Sequence, residues 1–312
     1  MATAEQARSR AASPAAERGK FEFTPYLFVL PQLIFFIVFL AYPFFRGIYL
    51  SLFEYDPSFP EFLPYVGLDN YQNLFTRGSL QFDDFWRAMR NTLVFVAYSV
   101  PPLVFVALVL AVLLNGKYRG RNFFRAVYFA PWALSAVVAA LLWWWIFQDQ
   151  SGLFNAYLSM LGLGEVAWLG SVPPAWIAIT VCTLWWTVGF NTIIFLAALQ
   201  DIPDTLYEAA SIDGANSFQQ FWSITIPMLR SVITFIITIT LLASMNLFAQ
   251  PYVMTRGGPP PGATEPIIMR IYMEGVGQSR MGSAAAMSVV VAVILVVFTV
   301  INFRLFGRSE QQ

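Results

Sequence analysis

Six stretches of this chain carry no charged side chain over 23 residues or more: Phe23–Phe45, Asn91–Gly116, Ala126–Gln148, Val166–Gln200, Ser231–Thr255 and Met281–Phe303. A helix crosses the hydrocarbon core of a bilayer with about 20 apolar residues. Each run is long enough to span, and Val166–Gln200 leaves a polar lead-in before a helix starting near Pro174. Lipid offers the backbone no hydrogen-bond partner, so only helices and closed barrels cross it. Barrel strands alternate apolar and polar residues with period two, whereas these runs are solidly apolar. The expected fold is all-α, a polytopic membrane protein with six transmembrane helices.

Composition agrees and narrows the chemistry. Charged residues make up 12% of the chain, about half of what a soluble domain carries. Eighteen basic residues balance eighteen acidic ones, so there is no electrostatic footprint for nucleic acid. There is no histidine, and the single cysteine, Cys182, lies inside an apolar run. Disulfides, His-based triads and the usual zinc and haem sites are thereby excluded; no catalytic residue, metal site or cofactor is expected. No G-x-x-x-x-G-K-[ST] pattern is present, so the chain does not read as a nucleotide hydrolase.

Basic residues orient the spans. The head carries Arg8, Arg10, Arg18 and Lys20, the connection between the second and third runs Lys117, Arg119, Arg121 and Arg125 without an acid, and the end Arg304 and Arg308. Six spans put these three segments on one side, which the positive-inside rule makes cytoplasmic. The connections 46–90, 149–165 and 256–280 then face out. The expected division is a cytoplasmic tail over 1–22, a six-span domain over 23–308 and a short tail over 309–312. The host membrane is then a cell membrane crossed several times, with both termini inside. The first run lacks a small-residue cleavage site after it, so it reads as a retained span.

One polar island, residues 201–230, separates the fourth and fifth spans on the cytoplasmic side. Pro203 suits a first helical turn, and Asp201 and Asp204 suit the positive end of its dipole. The helix passes Glu208, Ala209 and Ala210 and meets Asp213-Gly214, where glycine can adopt the left-handed conformation that ends a helix. Ser217 with Gln220 matches a capping box for a second helix. A helix–turn–helix lined with small residues results, a surface onto which another protein can seat closely. An amphipathic hairpin that merely caps the bundle is the competing reading.

The span centres hold hydroxyl, amide and aromatic groups but no ionisable ones. In the fourth these include Thr183, Thr187, Phe190 and Asn191, and in the fifth Thr240, Ser244, Asn246 and Gln250. Charges within a membrane mark ion paths and proton relays. Their absence here favours a neutral polyol, whose OH groups need hydroxyl and amide partners and whose C–H face needs an aromatic surface. Packing between helices uses the same residue types. Trp143–Trp145 are expected in the outer aromatic belt, and Pro101-Pro102 are expected to kink the second span. The external Asp83-Asp84 pair reads as solvation or a helix start.

EAASIDGA (208–215) with ITIP (224–227) resembles the EAA loop of ABC importer permeases. The resemblance extends over about residues 25–306 and is closest to the permeases of binding-protein-dependent sugar importers of the maltose type. It is carried by VGLDNYQNLF (66–75), NTLVFVAYSVP (91–101), RGRNFFRAVYFAPWALSAVVAALLWWWIF (119–147), GLFNAYL (152–158), TRGGPPPGATE (255–265) and MGSAAAMSVV (281–290), in that order. Ile226 replaces the family's usual Leu, and Ala249 stands where many members carry Asp.

The resemblance implies type I importer architecture and a cavity lined by the segments matching Thr183–Phe190 and Thr240–Leu247. It implies ATPase coupling through Glu208, Ala209, Ala210, Asp213 and Gly214. The implied partners are a second homologous permease, two ATP-binding cassette subunits, an extracytoplasmic solute-binding protein and a neutral sugar. A glycerol-phosphate importer within the family stays open. So does an autonomous secondary transporter, although no inverted repeat is visible.

Overall fold

The computed structural model describes residues 24–116 and 119–306. The tails 1–22 and 309–312, Lys117 and Arg308 lie outside the described residues. The chain divides into two compact units, residues 1–49 and 50–312.

In the first unit, α1 (Thr24–Phe36) passes through a π-helical turn (Ile37–Ala41) into α2 (Tyr42–Leu50). The Arg46 guanidinium donates to the Tyr42 hydroxyl at 2.8 Å, one helical turn away. Together these helices are long and apolar enough to cross a membrane.

The second unit opens with an irregular segment and α3 (Asp69–Phe75), followed by α4 (Leu80–Asn115). Ser79 caps α4 by accepting from Phe82 N–H at 3.0 Å, the partner that the first orphan amides of a helix need. The helix therefore starts eleven residues before the apolar run, and it continues unbroken through Pro101 and Pro102. Next come α5 (Arg121–Phe129), α6 (Ala136–Ile146), the short α7 (Leu153–Met160) and α8 (Pro174–Gln200). The polar island forms α9 (Asp204–Ile212), α10 (Ser217–Gln220) and α11 (Ile226–Met228), with a π-helical turn at Phe221–Thr225. The chain closes with α12 (Arg230–Met245), α13 (Ala249–Met254), α14 (Ile267–Tyr272) and α15 (Met281–Phe306).

Helices α4 and α8 form the central pair. Ala107 and Ala111 of α4 let it approach Phe195 and Leu199 of α8, with Ile236 of α12 closing the same buried cluster. A second cluster toward the other end joins Phe95, Trp176, Ile179 and Cys182, and a third joins Phe85, Ile267 and Met287. Because lipid is as apolar as these side chains, close packing rather than water exclusion holds such helices together.

The third run, Ala126–Gln148, is not one straight helix. Helix α5 and the 3₁₀ turn Ala130–Ala133 lie at 100° to α6. Two causes act together. Pro131 removes one amide donor, and Ser135 adopts an extended conformation to cap α6, accepting from Val138 N–H at 3.3 Å. The carbonyl of Leu134, freed by the break, accepts from the Trp186 indole N–H at 3.0 Å. The fifth run is also interrupted: α12 ends at Met245 and α13 begins at Ala249, with Phe248 at φ −144° and ψ −59°.

The bent third run crosses α8 at Gly189. A Cβ built there would lie 2.1 Å from the Tyr128 carbonyl oxygen, so glycine is required for the approach rather than for its dihedral freedom. Gly189→Leu should separate the two elements and cost a few kcal/mol, as overpacking does, lowering the thermal midpoint of the purified protein by several degrees. Gly164→Ala, in open space on the loop between α7 and α8, should leave that midpoint unchanged.

Candidate functional site

The two interruptions meet at one cavity of about 510 Å³. Trp132 and Ala136 reach it from the break in the third run, and Asn246, Phe248 and Gln250 from the break in the fifth. The face of α8 carrying Thr183, Thr187 and Phe190 forms the opposite wall, and Thr240 and Ser244 of α12 complete it. All eight residues named in the fourth and fifth spans (Thr183, Thr187, Phe190, Asn191, Thr240, Ser244, Asn246 and Gln250) thus line one space. None of the side chains lining it is ionisable.

Their hydrogen-bonding capacity differs. The Thr183 hydroxyl donates to the Ile179 carbonyl at 2.9 Å, and the Thr187 hydroxyl to the Thr183 carbonyl at 2.7 Å. Both retain only lone pairs for a guest. Ser244 is paired with Ser99 of α4 at 3.1 Å. Thr240 accepts from the Asn191 amide at 3.2 Å, which leaves its own O–H free. Asn246 commits one N–H to the Leu242 carbonyl at 2.8 Å and keeps its other donor and its carbonyl. Gln250 is 4% exposed, and its side-chain amide has no hydrogen-bond partner among the described residues. The donors a guest would meet therefore include Thr240, Asn246 and Gln250, with the second N–H of Asn191.

Two features of the cavity escaped the sequence. Trp132 stacks on Phe190 at 4.8 Å and on Trp186 at 5.5 Å, making an aromatic wall from two different spans. Its signal, an isolated Trp after Pro131, becomes meaningful only once the bend is known. Ser99 of the second span holds Ser244, although the sequence singles out only Pro101-Pro102 individually in that span. Of the aromatic-belt residues, Trp143 packs inward on Phe147 and Trp185, while Trp144 and Trp145 are exposed.

At the other end, the island folds as a helical hairpin. Helix α9 ends at Asp213, Gly214 takes φ +81°, and Ala215 N–H donates back to the Ala210 carbonyl at 2.9 Å. Gly214 N–H donates to the Ser211 carbonyl at 3.1 Å. These two bonds are the Schellman closure, and Asp204 lies in the first turn of α9 as expected. Asp201 instead ends α8. The capping box sits one residue earlier than the Ser217–Gln220 pair: Asn216 accepts from Gln219 N–H at 2.9 Å, and Gln219 accepts from Asn216 N–H at 2.8 Å. An Asn side chain reaches N3 as well as a Ser does. Gln220 is thereby freed to donate to Ser211. Glu208, Ala209, Asp213 and Gly214 are exposed and Ala210 is half-buried. Ile212, 87% exposed, gives the hairpin an apolar tip.

Charges do gather in one other place. Asp84 pairs with Arg87 at 2.6 Å and with Arg270 at 3.0 Å, and Arg270 also pairs with Glu274, which is 1% exposed. The Asp83-Asp84 pair is thus divided: Asp83 sits in the first turn of α4 and Asp84 joins this cluster. Glu265 lies 3.8 Å from Arg87 and 3.9 Å from Arg270. Asn91 fixes the same loop by donating to the Gly262 and Glu265 carbonyls at 2.7 and 3.0 Å. Burial pushes the Glu265 carboxyl above its ordinary range, against the pull of Arg270 and Arg87; Asp84 and Glu274 add to the rise.

Comparison with known proteins settles what kind of molecule carries this cavity and hairpin. Residues 76–311 match the family described as the binding-protein-dependent transport system inner membrane component. The chain belongs to this family. It is 34% identical to a trehalose/maltose transport system permease protein of Thermococcus litoralis, over 92% of this chain and 94% of the relative. It is also 34% identical to an sn-glycerol-3-phosphate transport system permease protein of Escherichia coli, over 90% and 92% of the two chains. Among solved structures it resembles a bacterial alginate ABC transporter in complex with its alginate pentasaccharide-bound periplasmic protein, with a TM-score of 0.79, 26% identity and coverage of 93% and 96%. The permease is a multi-pass, all-α membrane protein of type I importer architecture.

The Glu265 environment yields a pH prediction. A carboxyl whose value is raised on folding ionises more readily in the unfolded chain, so ionisation penalises the folded state at high pH and not at low pH. Glu265→Gln in the permease should therefore raise the thermal midpoint at pH 8, with a gain that shrinks as the pH falls toward the ordinary carboxylate range. A midpoint lowered at every pH would show that the charge of Glu265 stabilises the cluster instead.

Proposed function

We propose that the permease is one of two membrane-spanning subunits of an ATP-driven importer that moves a neutral sugar delivered by an extracytoplasmic binding protein. The observation that carries the cargo is the cavity: no ionisable lining, a Trp132–Phe190–Trp186 wall, and the free donors of Thr240, Asn246 and Gln250. A pyranose presents matching surfaces, with hydroxyls at its rim and C–H bonds on its face. A phosphate or carboxylate would enter without a cation to meet it, and a buried unpaired charge is expensive. The glycerol-phosphate relative and the transporter of the acidic polysaccharide alginate make this choice testable.

Because the chain lacks a nucleotide-binding signature, hydrolysis falls to two partner ATPase subunits. The hairpin over 201–230 supports that reading, with its capped turn, small residues and exposed apolar tip. Glu208, Ala209, Ala210, Asp213 and Gly214 would face the ATPase. The positive-inside pattern supports cytoplasmic termini, with the tails 1–22 and 309–312 flanking the six-span domain 23–308.

Asn246→Ala and Gln250→Ala should each slow uptake about five-fold, the equivalent of one neutral hydrogen bond of about 1 kcal/mol. Ala243→Trp should fill the cavity and stop uptake with the complex assembled. Uptake of labelled neutral sugars should resist competition by glycerol phosphate and by uronate oligosaccharides; inhibition by those acids alone would overturn the choice of cargo. Topology is checked in a Cys182→Ser background. Gly164→Cys should react with an impermeant reagent on intact cells, and Phe218→Cys only after the inner face is opened; the reverse pattern would invert the orientation.

A further inference from the structure

The two legs of the cytoplasmic hairpin are joined by two side-chain rungs. Near the turn, the Gln220 amide donates to the Ser211 hydroxyl at 2.9 Å and to the Ala215 carbonyl at 3.2 Å, in exposed surroundings. At the base, the Tyr207 hydroxyl of α9 meets the Thr225 hydroxyl at 2.9 Å, eighteen residues along the chain. This lower rung is sheltered, since Thr225 is 5% exposed. It ends the π-helical turn Phe221–Thr225, and such turns recur at functional positions.

The lower rung also sits where the hairpin meets the spans. Tyr207 and Thr225 border a cavity of about 200 Å³, lined also by Ser217, Gln220 and Phe221 of the second leg, by Val112 and Asn115 at the end of α4, and by Leu199 at the end of α8. These are the two helices of the central packed pair. A force applied to the hairpin tip passes to them through its base. The cavity is free volume into which an unbraced leg can shift instead.

We infer that Tyr207 and Thr225 are positioning residues for energy coupling: their bond makes the hairpin move as one body and so transmits displacement to α4 and α8. This rests on the reading of the hairpin as the ATPase dock. Without the bond the legs shear into the cavity, the ATPase still seats, and ATP is hydrolysed with less sugar moved.

The test uses the complete complex in proteoliposomes, with sugar imported and ATP hydrolysed measured together. Tyr207→Phe and Thr225→Val should each lower the sugar imported per ATP by about three- to ten-fold while the complex stays assembled. Thr225→Ser, which keeps the hydroxyl, should restore the ratio. The double variant should be no worse than either single one, because one bond is lost in all three. An unchanged ratio in both single variants, or losses that multiply in the double variant, would overturn the proposal. A purely structural role would lower the yield of complex and leave the ratio alone. Crosslinking from Glu208→Cys to the ATPase separates the two readings. Crosslinks with an unmoved ratio sink the brace alone, and no crosslinks in any variant sinks the dock and the brace together.

Discussion

Inside a bilayer every backbone N–H and C=O must be satisfied by the protein itself, and the architecture of this permease follows from how it meets that demand at two broken spans. An unbroken helix satisfies the demand automatically. A break exposes carbonyls and amides that lipid cannot solvate, so it persists only against other protein or a hydrated space. At Leu134–Ser135 the freed groups are taken up by the Trp186 indole and the Ser135 hydroxyl. At Asn246–Phe248 the interruption faces the cavity itself. Both breaks lie on that cavity, so the site exists because two spans are broken at the same place. Trp132 is carried into it by one break, and Asn246 and Gln250 by the other.

The distribution of charge obeys the same economy. Ionised groups are absent from the cavity lining and gather instead between the start of α4 and the segment 256–280. The Asp84–Arg87–Glu265–Arg270–Glu274 cluster ties the loop 256–280 to the start of α4, helped by Asn91. Removing ions from water is costly unless each finds a partner. Two arginines here face three carboxylates, with the exposed Arg280 reaching Glu274 at 3.7 Å. Glu265 sits at the longest distances from its arginines, 3.8 and 3.9 Å, and burial pushes its carboxyl above the ordinary range. Cavity and charge pairing are thus kept apart: the cavity lining is uncharged, and the charges fix the segment 256–280 against the start of α4.

Much of this was legible in the residues. Charge-free runs longer than a bilayer is thick announce the spans, because no other structure accommodates them. The hairpin was readable from Gly214, Asp213 and the helix-start residues of the island, since capping is local chemistry. The capping box was misplaced by one position because Asn216, Ser217, Gln219 and Gln220 offer two overlapping pairs that satisfy the same pattern. The polar residues of the fourth and fifth spans could be named as a group. Which of them keep a free donor could not, because that depends on Ser99 pairing with Ser244 and Asn191 with Thr240, contacts between residues 145 and 49 positions apart.

By itself, then, the sequence determined the class of molecule, the number of apolar runs, the uncharged character of their centres and the capped turn on one side, all properties set by composition and by neighbours within a few residues. Tertiary structure alone decided that the third run bends through 100°, that Gly189 lets it cross α8 in contact with the backbone, that Trp132 joins Phe190, and that Asp84 serves a buried ion cluster rather than a solvated loop. Each of those outcomes is a contact between segments distant in sequence. Such contacts are settled by which surfaces pack together, information that no local window of residues contains.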